Sequence, residues 1–136
     1  IPTELADHEL QSIPRPNNDT LYLISMLDMR DDAIVIEFPK FDSNYVSLET
    51  SAYDHYVNIP LSTTPTRGRG RRKKDFNERA TMLFYTERTK NYNGETITGI
   101  DKTLKMTGDF AIAFLRVMPH ANDPDRMNYN LKAMRL

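Results

Sequence analysis

Asn17, Asn18, Asp19 and Thr20 set two amides, a carboxylate and a hydroxyl side by side. So dense a run of donors and acceptors can hold a cation or a sugar by hydrogen bonding. The same residues also suit a turn whose side chains bond its own backbone. No EF-hand spacing accompanies them, and no metal is expected. A second group, Tyr53-Asp54-His55-Tyr56, joins an acid, an imidazole and two rings. On a strand, neighbours point to opposite faces, so Asp54 and His55 do not form a dyad merely by adjacency. His55 would need an acid from another strand to act as a general base or metal ligand. The tyrosines suit stacking on a flat ligand, and they are equally ordinary strand residues.

Arg116 poses the sharpest question. In strand alternation it shares a face with Phe110, Ile112, Phe114 and Met118. A guanidinium there must be paired or reach water, because an unpaired buried charge is costly. It reads as an anchor for a ligand carboxylate or phosphate, or as one half of an ion pair with Asp28, Asp19 or Asp54. Arg88, beside Met82 and Phe84, raises the same question. His120 follows Pro119 near Asn122 and Asp123, where it joins a site or caps a helix. His8 is isolated. The candidate acid–base groups are therefore Asp19, Asp54, His55 and His120.

Arg67 to Lys74 holds six basic residues in eight. Such clusters bind phosphate backbones, but Gly68 and Gly70 point to a solvated, mobile loop over 63–76. No recognition motif accompanies it. A nucleophile elbow, a phosphate-cradling glycine loop and a His-x-x-x-His pair are all missing. No cofactor is expected.

These groups need elements to position them. Pro14 and Pro16 break any helix, and residues 1–13 read as an N-terminal arm. Thereafter the period is mostly two. Ile34, Ile36 and Phe38 share one face; Val46, Leu48, Thr50 and Ala52 share another, opposite Tyr45, Ser47, Glu49 and Ser51. Pro39 and Asp42-Ser43-Asn44 separate these strands by a hairpin or short loop. Tyr53 to Ile59 continues β-like, and Pro60 should end it. Thr81 to Arg88 is a further strand, and Asn91-Tyr92-Asn93-Gly94 a turn requiring positive φ. Thr96 to Met106 holds short β-prone pieces broken at Gly99. Asp109 to Met118 is apolar enough to be buried on both faces. Asn122-Asp123-Pro124 then starts a helix over Asp125 to Met134. The expected fold is mainly β, an antiparallel sandwich or partly closed barrel with a short C-terminal helix.

Composition bounds the rest. The chain of 136 residues fits a single domain, 1–136. It has no cysteine, which removes disulfides, thiolate metal sites and thiol nucleophiles. With 18 basic and 19 acidic residues the net charge is −1, so no global field draws nucleic acid or an acidic membrane. No apolar run approaches the roughly 20 residues of a membrane span. A start at Ile1-Pro2 suggests a processed, trimmed or partial chain.

Several runs together carry a family resemblance: Arg15-Pro16-Asn17-Asn18-Asp19-Thr20-Leu21-Tyr22 with Leu27-Asp28, Tyr45-Val46-Ser47-Leu48, Tyr53-Asp54-His55-Tyr56, Phe84-Tyr85-Thr86-Glu87-Arg88-Thr89, Gly108-Asp109-Phe110, and Phe114 to His120. The chain resembles the domain-of-unknown-function 1254 family over roughly Pro14 to Met134. The resemblance implies a bacterial protein, often exported to the periplasm or secreted. It also implies a following jelly-roll-like domain of unknown function 1214, which this chain does not include. It implies no established catalytic residue.

The leading expectation is a domain that binds a small anionic or carbohydrate-like ligand in a polar, aromatic-lined cleft. Its lining would be Asn18, Asp19, Tyr22, Tyr53, His55, Arg88 and Arg116. The rivals are a hydrolase with an Asp/His acid–base pair and a structural interaction module of a larger assembly. Another copy of the chain or a separate domain is the expected partner.

Overall fold

The computed structural model describes residues 17–54, 56–63, 76 and 78–135. The expected N-terminal arm lies outside these residues, as does the basic loop apart from Thr63 and Phe76. Among the described residues seven strands and one helix follow in order: β1 (Leu21–Asp28), β2 (Ile34–Phe38), β3 (Val46–Ala52), β4 (Val57–Ser62), β5 (Ala80–Tyr85), β6 (Lys102–Lys105), β7 (Phe110–Val117) and α1 (Pro124–Ala133).

The strands form two sheets. One is four-stranded and antiparallel, in the order β1-β7-β3-β4; the other is β2-β5-β6. In the smaller sheet β5 and β6 run parallel, so the mainly antiparallel fold includes one parallel pair. A parallel neighbour needs a long connection, and residues 86–101 supply one. That connection turns at Gly94, whose φ of 99° suits glycine; an added Cβ there would lie 3.2 Å from the Tyr85 hydroxyl. The sheets do not close into a barrel.

Alternation decides which side of each strand is buried. Val46, Leu48, Thr50 and Ala52 of β3 face inward, beside Ala111, Ala113, Leu115 and Val117 of β7. Phe38 from β2, Met82 and Phe84 from β5, and Leu131 and Met134 near the end of α1 meet them in one core. Two expectations need correction here. Pro60 does not end a strand: it lies inside β4, paired with Glu49. Among the described residues β4 is an edge strand, and a proline whose nitrogen faces away from the neighbouring strand costs no ladder bond there. Nor is β7 buried on both faces. Its outward residues are half-exposed, Phe110 most of all at 44%, because no second layer covers that side among the described residues.

α1 begins where the local chemistry requires. The Asp123 side chain accepts from the Arg126 backbone N–H at 3.2 Å, and Pro124 occupies the first turn.

Candidate functional site

β1 and β7 pair from Leu21–Val117 onward, so the loop before β1 and the connection after β7 meet at one end of the sheet. Between them lies a cavity of about 510 Å³ lined by Asn18, Asp19, Met118, Pro119, His120, Ala121, Asn122, Asp123 and Arg126. Each wall has a local cause. Asn17 Oδ1 accepts the backbone N–H groups of Asp19 (2.8 Å) and Thr20 (3.0 Å). Asn17 thus closes the turn by itself, leaving the Asn18 and Asp19 side chains for the cavity. On the other side the Asp123 N–H donates to the His120 carbonyl at 2.9 Å, which turns the chain from strand into helix. The Thr20 hydroxyl is buried without a hydrogen-bond partner among the described residues.

Behind this wall stands Asp42. Arg126 grips its carboxylate with Nε at 2.7 Å and Nη2 at 2.6 Å, and His120 Nε2 lies 3.6 Å from the same group. The Arg126 hydrogen bonds hold the Asp42 carboxyl below its ordinary value of 3.8, and His120 adds a smaller pull in the same direction. Asn130, wholly buried, fixes the backbone of this residue from both sides: it accepts from the Asp42 N–H at 3.0 Å and donates to the Asp42 carbonyl at 2.7 Å. His120 Nε2 is buried and makes no hydrogen bond among the described residues.

The fold divides the expected site. Asn18, Asp19 and His120 come together in the cavity. Tyr22 and Arg116 face outward from the four-stranded sheet, where the guanidinium lies 5.9 Å from the Tyr22 ring and 6.0 Å from that of Phe114. The partner of Arg116 is Glu49 at 3.7 Å, not Asp28, Asp19 or Asp54. Glu49 is its diagonal neighbour on β3, a register that sequence does not reveal. Tyr53 is exposed in the β3–β4 turn, beside a second hollow at the far end of the sheet. Asp54 bonds the Tyr56 N–H at 3.1 Å in that turn. Arg88 is engaged by Asp109, with Nε 2.9 and 3.0 Å from its two oxygens. His55 lies outside the described residues. Among the described residues no tyrosine lines the cavity, unlike the aromatic lining expected of it.

Asp42, Arg126 and Asn130 were not singled out from the sequence. One weak signal was available: Arg126 sits in the first turn of a helix, where the dipole disfavours a cation and a nearby carboxylate offsets it.

A model of the protein family described as "Protein of unknown function (DUF1254)" matches residues 1–135. The chain belongs to the DUF1254 family. Among curated proteins none matches. The DUF1254 chain is similar in fold to the crystal structure of the VPA0106 protein from Vibrio parahaemolyticus, with a TM-score of 0.67 and 24% identity over 87% of its length. It spans about a quarter of that protein, covering 26% of its chain.

Proposed function

We propose that the domain binds a small, hydroxyl-rich, carbohydrate-like ligand in the cavity between the 17–20 loop and the β7–α1 connection. The observation that carries this reading is the convergence of Asn18, Asp19, His120 and Asn122 on one space of about 510 Å³. Small-molecule sites span roughly 300–1,000 Å³ and orient their ligands with a few polar groups. Amides and carboxylates supply the paired donors and acceptors that hydroxyl groups require. The anionic alternative has less support, since Arg126 is engaged by Asp42 and Asp19 and Asp123 add negative charge to the lining.

Native mass spectrometry of the purified protein, before and after denaturation, comes first. A retained neutral, sugar-sized mass that leaves on denaturation is the expected result. Isothermal titration with neutral mono- and disaccharides and with sugar acids then separates the two ligand classes. Neutral ligands should bind, and Asp19→Ala should weaken them at least tenfold. Binding that ignores Asp19→Ala and Asn18→Ala, or no binding of either class, would sink the proposal.

A second reading, acid–base hydrolysis, draws support from the 3.6 Å approach of His120 to Asp42 in a cavity that also holds Asp19. In that reading His120 is the acid–base group and Asp42 its orienting partner. Turnover of a bound ligand that survives His120→Gln would remove it.

A further inference from the structure

The outward side of the four-stranded sheet carries an apolar band along β1 and β7. Register sets Ile24 beside Phe114 and Met26 beside Ile112, with Tyr22–Arg116 at one end and Asp28–Phe110 at the other. Met26 is 74% exposed and Ile24 56%. On the same two strands the inward Leu27 and Val117 are sealed in the core. Apolar side chains concentrated on a solvent-facing strand surface mark a contact surface.

The charges at its ends indicate what covers it. Among the described residues the Arg116 guanidinium meets one carboxylate, Glu49, at the long distance of 3.7 Å, and its Nε is buried without a hydrogen-bond partner. At the opposite end stands the Asp28 carboxylate, held by Arg30, whose guanidinium also covers the Phe110 ring at 4.6 Å. The band is thus apolar in the middle, with an under-used cation at one end and a half-exposed carboxylate at the other.

We infer that this face joins two copies of the chain, packed sheet to sheet about a twofold axis that crosses the strands at mid-band. That operation sets Ile112 against the second copy's Phe114, and Ile24 against the second copy's Met26. It also sets Arg116 over the second copy's Phe110, with the second copy's Asp28 one strand aside and within reach of the long guanidinium side chain, twice per dimer. A twofold interface must be self-complementary in this way, and stacked sheets lie about 10 Å apart with interdigitated side chains. Strands about 4.8 Å apart and rising about 3.3 Å per residue give a face of roughly 19 by 26 Å. That is smaller than the ~800 Å² per partner of a standard stable interface, so the dimer should be weak and concentration-dependent.

Sedimentation equilibrium of the full chain from about 1 to 500 μM tests this. The expected result is a mass rising from one chain to two. Arg116→Asp alone, or Asp28→Arg alone, should weaken association at least tenfold by setting like charges together at both contacts. An equimolar mixture of the two variants should regain it, because every exchanged contact is again opposite in sign. Far-UV circular dichroism checks that each variant is folded, and Ile112→Ser, in the middle of the band, supplies a disruption that changes no charge. A chain that stays monomeric at 500 μM assigns the face to another partner and overturns the inference. So does a dimer that ignores the substitutions, or a mixture that fails to associate.

Discussion

The two ends of the four-stranded sheet invite comparison, since each bears a hollow of similar size. At the His120 end the cavity is polar, and its support is hydrogen-bonded in depth: Asn17 holds one wall, and Arg126 and Asn130 hold Asp42 behind the other. At the Tyr53 end a hollow of about 570 Å³ is lined chiefly by Met26, Leu27, Ala52, Phe110, Ala111 and Ile112. There the chain leaves apolar surface uncovered and secures only the rim, where Asp28 pairs with Arg30. The difference is one of specification. Directional bonds hold the first hollow in shape without an occupant, while the second owes its shape to the strand register and gains most from being covered.

The comparison can be broken by substitution, starting with the largest effect. Leu27→Ala, on the inward side of β1, should cost about 2–5 kcal/mol in urea unfolding, because it opens a cavity in the shared core. Asn130→Leu should cost about 3 kcal/mol by leaving the Asp42 N–H and carbonyl buried without partners. Its damage should concentrate at the polar end, read as faster amide hydrogen exchange around residues 42 and 118–126 than at the Tyr53 end. An equal loss of protection at both ends would show that the hollows are not separately supported.

A third effect depends on pH. Arg126 lowers the Asp42 pKa in the folded state, so the contribution of this pair is present above the ordinary value of 3.8 and is lost as pH falls through the lower folded value. The Tm of the native chain should therefore fall further on acidification below about pH 3.8 than that of Arg126→Met. Parallel Tm curves for the two proteins would remove the ion pair from the support of the cleft. The smallest effect belongs to the outward face. Met26→Ser should change the unfolding free energy of the monomer by less than about 0.5 kcal/mol, measured at low micromolar concentration. A larger loss would mean that the band is covered within a single chain.

Much of the architecture was legible. Alternation assigned the buried sides of β2 and β3 correctly, and Asp123-Pro124 marked the start of α1. Proline was over-read at Pro60, since only the position of a strand within its sheet tells whether a missing N–H matters. The apolar run of β7 was over-read as well: hydrophobic composition on both sides of a strand does not guarantee a layer on both sides. Of the expected ligand residues, Asn18 and Asp19 reach the cleft along with the acid–base candidate His120. Arg88 meets Asp109 and Arg116 meets Glu49; for Arg116 this is none of Asp28, Asp19 and Asp54, the acids that the sequence offered.

By itself the sequence determined local preferences: the two-residue period of the strands, the Asn17 turn, the Asn93-Gly94 turn and the Asp123 cap. All of these depend on residues within a few positions of one another, where sterics and short-range hydrogen bonds decide. Tertiary structure decided which strands are edges, that β5 and β6 run parallel, and that Asp42 meets His120 and, 84 positions along the chain, Arg126. Those outcomes depend on which distant segments share a core and in what register, and a one-residue shift in register would turn each side chain to the other face.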